Sequence, residues 1–373
     1  MQPIFCNNCL AMSTRPRIIF DKEGICNACN WAKKKNSQIN WKKRQLELKN
    51  LLNIEKKKNF FFDCIVPVSG GKDGSYVAYN LKNKYKANPL CVTVRPALPT
   101  RLGNENIYEF VKSDFSMITV DVGYEALRKM NKFGFFYLGF PYYGWLVSIF
   151  TAVIRIALNF NINLVFYGED GEVEYGGTPE TEKKILFDIE YIKKIYVDGG
   201  YNKIMKKVNL NKKESYFFEF PSENDLKLNK NQLKLTHWSY FENWDPYRNY
   251  LVAKEHCGLK EAIHSNKSTF TNFSQNDQYL YDLHTYLMYL KFGFGRANQD
   301  ASIEIRRGAI SREQAKNLVK LYDGQLPTEN IPKYLEYYQI TENKFYEILH
   351  KWTNKRLFKI IKKNKWEKKF DIV

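Results

Sequence analysis

The chain is short of acid. Among its 373 residues, 40 Asp and Glu stand against 58 Lys and Arg, a formal net charge of +18. This excludes an acidic, self-repelling surface and leaves an anionic substrate, nucleic acid, or a compositional drift towards Lys and Asn as its source; charge bears on association rather than on fold. Long unbroken apolar runs are missing too. The richest stretch, 133–160, is interrupted by Gly139, Pro141 and Gly144 and carries Arg155 near its end. A charge deep in a membrane span costs about 2.5–3.5 kcal/mol on insertion scales, so the expectation is a buried crossover helix over 143–160 and no membrane partner. The chain opens without a charged-apolar-small leader, from which a cytosolic protein is expected. The Walker A spacing, with four residues between its first Gly and Gly-Lys-Ser/Thr, is absent as well.

What is present begins with four cysteines. Cys6 and Cys9, then Cys26 and Cys29, form two C-x-x-C pairs with sixteen residues between them, the pattern of a structural zinc module. Thirty residues bury no core of their own, and a structural zinc contributes about 10–16 kcal/mol in finger peptides. A pair of disulfides, an iron–sulfur cluster and a redox pair are the alternatives. The organisation expected is this module over 1–35, a Lys-rich linker helix over 36–58, an α/β nucleotide domain over 59–245 and a helical C-terminal region over 246–373.

The α/β domain is read from continuous apolar strands at 60–68, 89–95, 116–121 and 162–167, with a fifth at 232–238, separated by helical stretches at 75–85, 105–114 and 143–160. Such alternation implies a parallel sheet covered on both faces. Ligands of these sheets bind outside the carboxyl ends of the strands. One such end carries Ser69-Gly70-Gly71-Lys72-Asp73-Gly74-Ser75, which joins the first strand to a helix N-terminus. Glycines admit the backbone to a phosphate, free N–H groups and the helix dipole face the anion, and Ser and Lys add a donor and a charge. Another strand end carries Gly168-Glu169-Asp170-Gly171-Glu172-Val173-Glu174, four acids among glycines suited to a second metal and phosphate contact. Pro96, Pro99 and Arg101 are expected in a loop near the adenine, with backbone contacts from Thr93 and Val94.

Further along, helical segments are expected at 179–194, 278–292, 311–322, 330–338 and 341–362. The aromatics of 240–248 read either as core or as a sugar pocket. Arg296, Arg306 and Arg307 lie in a Gly-interrupted stretch that reads either as an anion clamp or as helix-end ion pairing.

The loop resembles the S-G-G-x-D signature of PP-loop ATP pyrophosphatases, an adenine nucleotide alpha hydrolase-like fold. That likeness implies pyrophosphate contacts from Ser69, Gly70, Gly71, Lys72, Asp73, Gly74 and Ser75, with Gly168 beside them, and Mg²⁺ held by Asp73. The 168–177 stretch resembles an asparagine synthetase segment and implies Glu169, then Asp170 and Glu172, as further acids of the site. Together with Phe20-Asp21 before Cys26 and with Lys291-Phe292-Gly293-Phe294-Gly295-Arg296, the chain resembles the N-acetyl sugar amidotransferase family along nearly its whole length.

The family resemblance implies an ATP- and Mg²⁺-dependent enzyme with structural Zn²⁺. It would turn an acetamido group of a nucleotide-activated diacetamido sugar into an acetamidino group, in surface polysaccharide or flagellin-glycan synthesis. Lys72, Asp73 and Glu169 would be catalytic, and Arg296 and Arg306 would meet the substrate. Ammonia would come from a separate glutaminase, because no G-x-C-x-G elbow is present and Cys257 has only its sequence neighbour His256 beside it. A PP-loop tRNA-modifying enzyme of the thiolase kind, or a non-catalytic nucleotide-binding scaffold, would share the loop; nucleic acid is not the expected partner.

Overall fold

The computed structural model describes residues 2–57, 61–197, 201–230, 232–362 and 364–372. The first module runs into α1 (Asn27–Ser37), which carries Cys29, and α2 (Trp41–Lys56) follows. The central sheet contains β1 (Cys64–Pro67), β2 (Pro89–Val94), β3 (Met117–Val120), β4 (Leu164–Tyr167) and β5 (Lys234–His237), in the order β3-β2-β1-β4-β5 with every pair parallel. Phe60, the expected start of the first strand, and the expected boundary at 58/59 lie outside the described residues.

Side chains alternate across the sheet, so each strand serves two cores. Ile65, Leu90, Val92, Val165 and Leu235 face one layer, which contains α5 (Tyr124–Leu138) and α6 (Tyr143–Asn159). Cys64, Val66, Cys91, Leu164 and Phe166 face the other, which contains α2, α3 (Lys72–Asn83) and α4 (Arg101–Lys112). The apolar stretch 133–160 is therefore two helices, α5 and α6, packed on each other beside the sheet, with the turn between them at Gly139, whose φ of 60° suits glycine. Among the described residues no helix is long and apolar enough to cross a membrane.

Three expected elements differ. Residues 179–188 form no helix; Phe187 instead makes a bridge to Leu235 at the sheet edge, and helical turns begin only at Ile189–Tyr191. The last expected helix stops at Trp352, and β6 (Phe358–Lys362) pairs antiparallel with β7 (Lys365–Lys368) beyond it. Alternation of Phe358 and Ile360 with lysines suits a strand, and Phe358 is buried against Tyr289. The arginine-bearing stretch is a continuous helix, Arg296–Arg307, and the aromatic cluster runs into a further helix, Pro246–His256, which packs on α3. In that cluster Phe241 and Trp244 are core beside Trp238, with the Arg44 guanidinium stacked 4.0 Å over Tyr240.

Candidate active site

In the strand order the connection after β1 leads to β2 on one side and the connection after β4 leads to β5 on the other, so a crevice opens between the carboxyl ends of β1 and β4. The glycine loop follows β1 there, and the Gly168-Glu169 turn follows β4 beside it. Gly70 has φ +78°, and an added Cβ would lie 2.7 Å from Ile107 N; at Gly74 it would lie 2.6 Å from the Pro67 carbonyl oxygen. Glycine is therefore required by conformation at one position and by close packing at the other. Gly71 caps α3 with no side chain, which leaves the first N–H groups of that helix directed into the crevice.

The cleft, of about 280 Å³, is lined on one side by Ser69 through Gly74 and on the other by Glu169, Asp277, Tyr142, Tyr281 and Arg296. Lys72 Nζ stands 2.5 Å from Asp73 Oδ2. Asn249, fully buried on the helix Pro246–His256, donates to Asp73 Oδ1 at 3.2 Å. Burial and the Asp73 charge push the Glu169 carboxyl above its ordinary value. Asp73 and Glu169 are near enough for their charges to interact, and their carboxylates are the oxygen ligands that a divalent cation takes. The uncapped helix end and the glycine cradle fit a phosphate chain.

Of the sequence-predicted residues, Ser69, Gly70, Gly71, Lys72, Asp73, Gly74, Glu169 and Arg296 line this cleft; Ser75, Gly168, Asp170 and Arg306 do not. Ser75 is buried behind the loop. Gly168 packs between Asp73 and Trp244. Asp170 points away from the cleft. It caps α7 (Gly171–Tyr175) by accepting from Glu172 N and Val173 N, and it bonds Thr181 and Tyr196. The other two acids tie the turn to the cysteine module: Arg17 grips Glu172 through two 2.8 Å bonds, and Trp31 and Lys35 donate to Glu174 at 2.9 and 2.7 Å. Arg306 lies against the cysteines, 3.6 Å from Cys9 Sγ, and donates to the Glu174 carbonyl at 3.2 Å. Of the backbone groups of Thr93 and Val94 expected near the adenine, the Val94 carbonyl already accepts from Trp145 Nε1 at 2.9 Å.

Residues that sequence reasoning missed come from a distance. Asp277 enters with the segment that bridges Pro99 to Gln278; Tyr281 Oη lies 3.2 Å from its carboxyl, Ser69 faces the same group, and burial pushes it up to about 6. A lone Asp in a polar stretch carries no signal of this placement. Asn249 was likewise invisible.

The sulfurs of Cys6, Cys9, Cys26 and Cys29 all lie within 4.8 Å of one another. The pairs Cys9–Cys26 and Cys6–Cys29 stand 3.7 and 3.9 Å apart. Four thiolates at about 2.3 Å around a tetrahedral zinc would be about 3.8 Å apart, whereas a disulfide needs about 2.05 Å. A four-iron cluster seats each thiolate on a separate iron and spreads them further. Cys26 N and Ala11 N donate to Cys6 and Cys9 sulfurs at 3.2 and 3.4 Å. The donor set suits one tetrahedral ion.

Comparison with known proteins adds three findings. Residues 267–370 match the family described as LPS biosynthesis protein WbpG-like, C-terminal domain. The uncharacterized protein MJ1599 of Methanocaldococcus jannaschii is 32% identical over 108 residues, which are 29% of this chain, and the chain spans about 38% of the length of that curated relative. Among solved structures, the U34-tRNA thiolase NcsA from Methanococcus maripaludis, determined with its 4Fe-4S cluster, is 14% identical, with coverage of 86% of this chain and 89% of that one and a TM-score of 0.33. A likeness that low does not establish a shared fold.

Proposed function

We propose that the chain is an ATP-dependent amidotransferase that forms AMP and pyrophosphate and converts the acetamido group of a nucleotide-activated sugar to an acetamidino group in surface-polysaccharide synthesis. One observation carries the reading. The glycine loop with its open helix end shares a cleft with Asp277 and Arg296, which belong to the region similar to a lipopolysaccharide-biosynthesis domain.

An amide carbon is a poor electrophile and its oxygen a poor leaving group. Attack of the acetamido oxygen on the α-phosphorus of ATP breaks the Pα–O bond to pyrophosphate, and loss of the amide proton leaves an O-adenylyl imidate. The nitrogen lone pair of ammonia then forms the C–N bond, the C–O bond to AMP breaks, and the amide oxygen departs in AMP. The α3 N-terminus, Ser69 and Lys72 hold the departing pyrophosphate and spread its charge. Asp73 would hold Mg²⁺, which would neutralise phosphate charge when bound. Glu169, with its raised affinity for protons, accepts the proton that the attacking nitrogen sheds. Arg296, tied to Asp300 at 2.8 Å, presents a cation to the sugar's acid or phosphate.

Ammonia comes from a separate glutaminase in this reading. Cys257 is buried with its thiol on the Ser75 carbonyl, and burial pushes it up to about 12, while His256 stacks on Tyr79. That pair is no nucleophile and base. Among the described residues no thiol lines the cleft, which disfavours a cysteine-dependent thiolation.

The test is release of AMP and pyrophosphate with ATP, Mg²⁺ and ammonium, with diacetamido nucleotide sugars compared against bulk tRNA. AMP formed only with a sugar, with the acetamido oxygen recovered in AMP by isotope label, is expected. AMP formed only with tRNA overturns the reading.

A further inference from the structure

A second cavity, of about 210 Å³, opens between α1, the residues after β5 and the helix Arg296–Arg307. At Tyr175 it comes within one side chain of Glu169 in the catalytic cleft. Tyr175 lines the cavity and reaches Glu169 Oε1 with its hydroxyl at 3.5 Å. Trp244 lines it too, and its ring edge lies 3.4 Å from where a Cβ on Gly168 would stand.

The charges around the cavity are already matched. Lys35 pairs with Glu174 at 2.7 Å and Arg307 with Asp245 at 3.1 Å, while Arg306 is spent on Cys9 and the Glu174 carbonyl. Paired charges leave little field for an anion, so the cavity suits a small neutral polar molecule rather than a phosphate. The main cleft, at about 280 Å³, is no larger than one drug-sized ligand needs, yet the proposed reaction brings a nucleoside triphosphate and a nucleotide sugar into it. Its mouth is then filled when the third reactant must arrive.

We propose that ammonia enters through this rear cavity and reaches the reacting carbon past Tyr175 and Trp244, beside Glu169. The inference rests on the amidotransferase reading. Tyr175 is the side chain that stands between the cavity and Glu169 of the cleft.

The test fills the cavity without touching the cleft. Ala32, half-buried on α1, and Asn36, exposed at the rim, both line it. In Ala32→Trp and Asn36→Trp, AMP formation is followed at saturating ATP and nucleotide sugar while ammonium chloride is varied. The expected result is a KM for ammonium raised about tenfold with the KM for ATP and for sugar unchanged, since only ammonia capture is impaired. Unchanged ATP and sugar constants also show that the variants are folded. An ammonium KM within about twofold of the parent in both variants overturns the inlet. Absence of AMP formation in the parent with every sugar overturns instead the reading beneath it.

Discussion

Two neighbouring carboxylates, Glu169 and Asp170, leave the end of β4 in opposite directions, one into the cleft and one onto Thr181 and Tyr196. Glu169→Gln keeps the shape and removes the proton acceptor, so kcat for AMP formation in the presence of sugar and ammonium should fall by about 100-fold or more. Asp170→Asn should instead lower Tm through the lost α7 cap and leave the ATP KM in place; equal loss of activity without loss of stability would show that Asp170 serves the chemistry. Asp277 gives a pH signature. Burial pushes its carboxyl from the ordinary 3.8 up to about 6, because ionising it there costs desolvation. The stability of its protonated form is thus fully present at low pH and lost as pH rises through about 6. Asp277→Asn should be more stable than the parent at about pH 8, by about 1 kcal/mol given that the carboxyl opens onto the cleft, and no more stable near pH 4. Urea titrations at the two pH values decide it.

At the scale of elements, the short turn from Gly168 to Gly177 couples the cysteine module to the cleft. Arg17, Asn27, Trp31 and Lys35 of the module all hold it, at Glu172, the Gly177 carbonyl and Glu174. The metal site would keep those four donors in register, since a module of this size has little core of its own. Stripping the module's metal with a chelator that is then dialysed away should therefore abolish AMP formation assayed in excess Mg²⁺, even though among the described residues no cysteine lines the cleft, and re-addition of zinc should restore it. Full activity in metal-free protein would separate the module from the site. The module is also clasped from the other side, where Asn298 donates to the Leu10 carbonyl at 2.9 Å.

Across the whole molecule, one hydrophobic core holds sheet residues Ile65 and Val165 together with Tyr334, Tyr337, Tyr338 and Phe345 of the C-terminal helices. Buried Asn131 locks the junction: its side chain accepts from Gly144 N and Trp145 N at 2.8 and 3.2 Å at the start of α6 and donates to Tyr337 at 3.0 Å. The two regions share their core, and calorimetry should show a single unfolding transition whose van't Hoff and calorimetric enthalpies agree. Two resolved transitions would mean that the regions unfold independently.

The local features were legible because each is written in a few consecutive residues. Strand, glycine turn and helix at 64–83, the cysteine spacing, and the crossover helix α6 all follow from periodicity and from the conformational needs of glycine and sulfur. The hairpin at 358–368 was less so, since a run of Lys and apolar residues satisfies helical and extended spacing alike until packing on Tyr289 selects one. What no local pattern held was the division of labour among four acids in one turn. Glu169, Asp170, Glu172 and Glu174 are chemically near-equivalent, and only the partners brought by the tertiary fold decide their roles. One meets the cleft, one caps a helix, and two meet the cations and indole of the cysteine module. Asp277 and Arg306 show the same limit. A residue's chemistry is set by its type, but its place in a site is set by contacts more than a hundred residues away, and those arise only when the sheet, the module and the C-terminal helices bury their surfaces together.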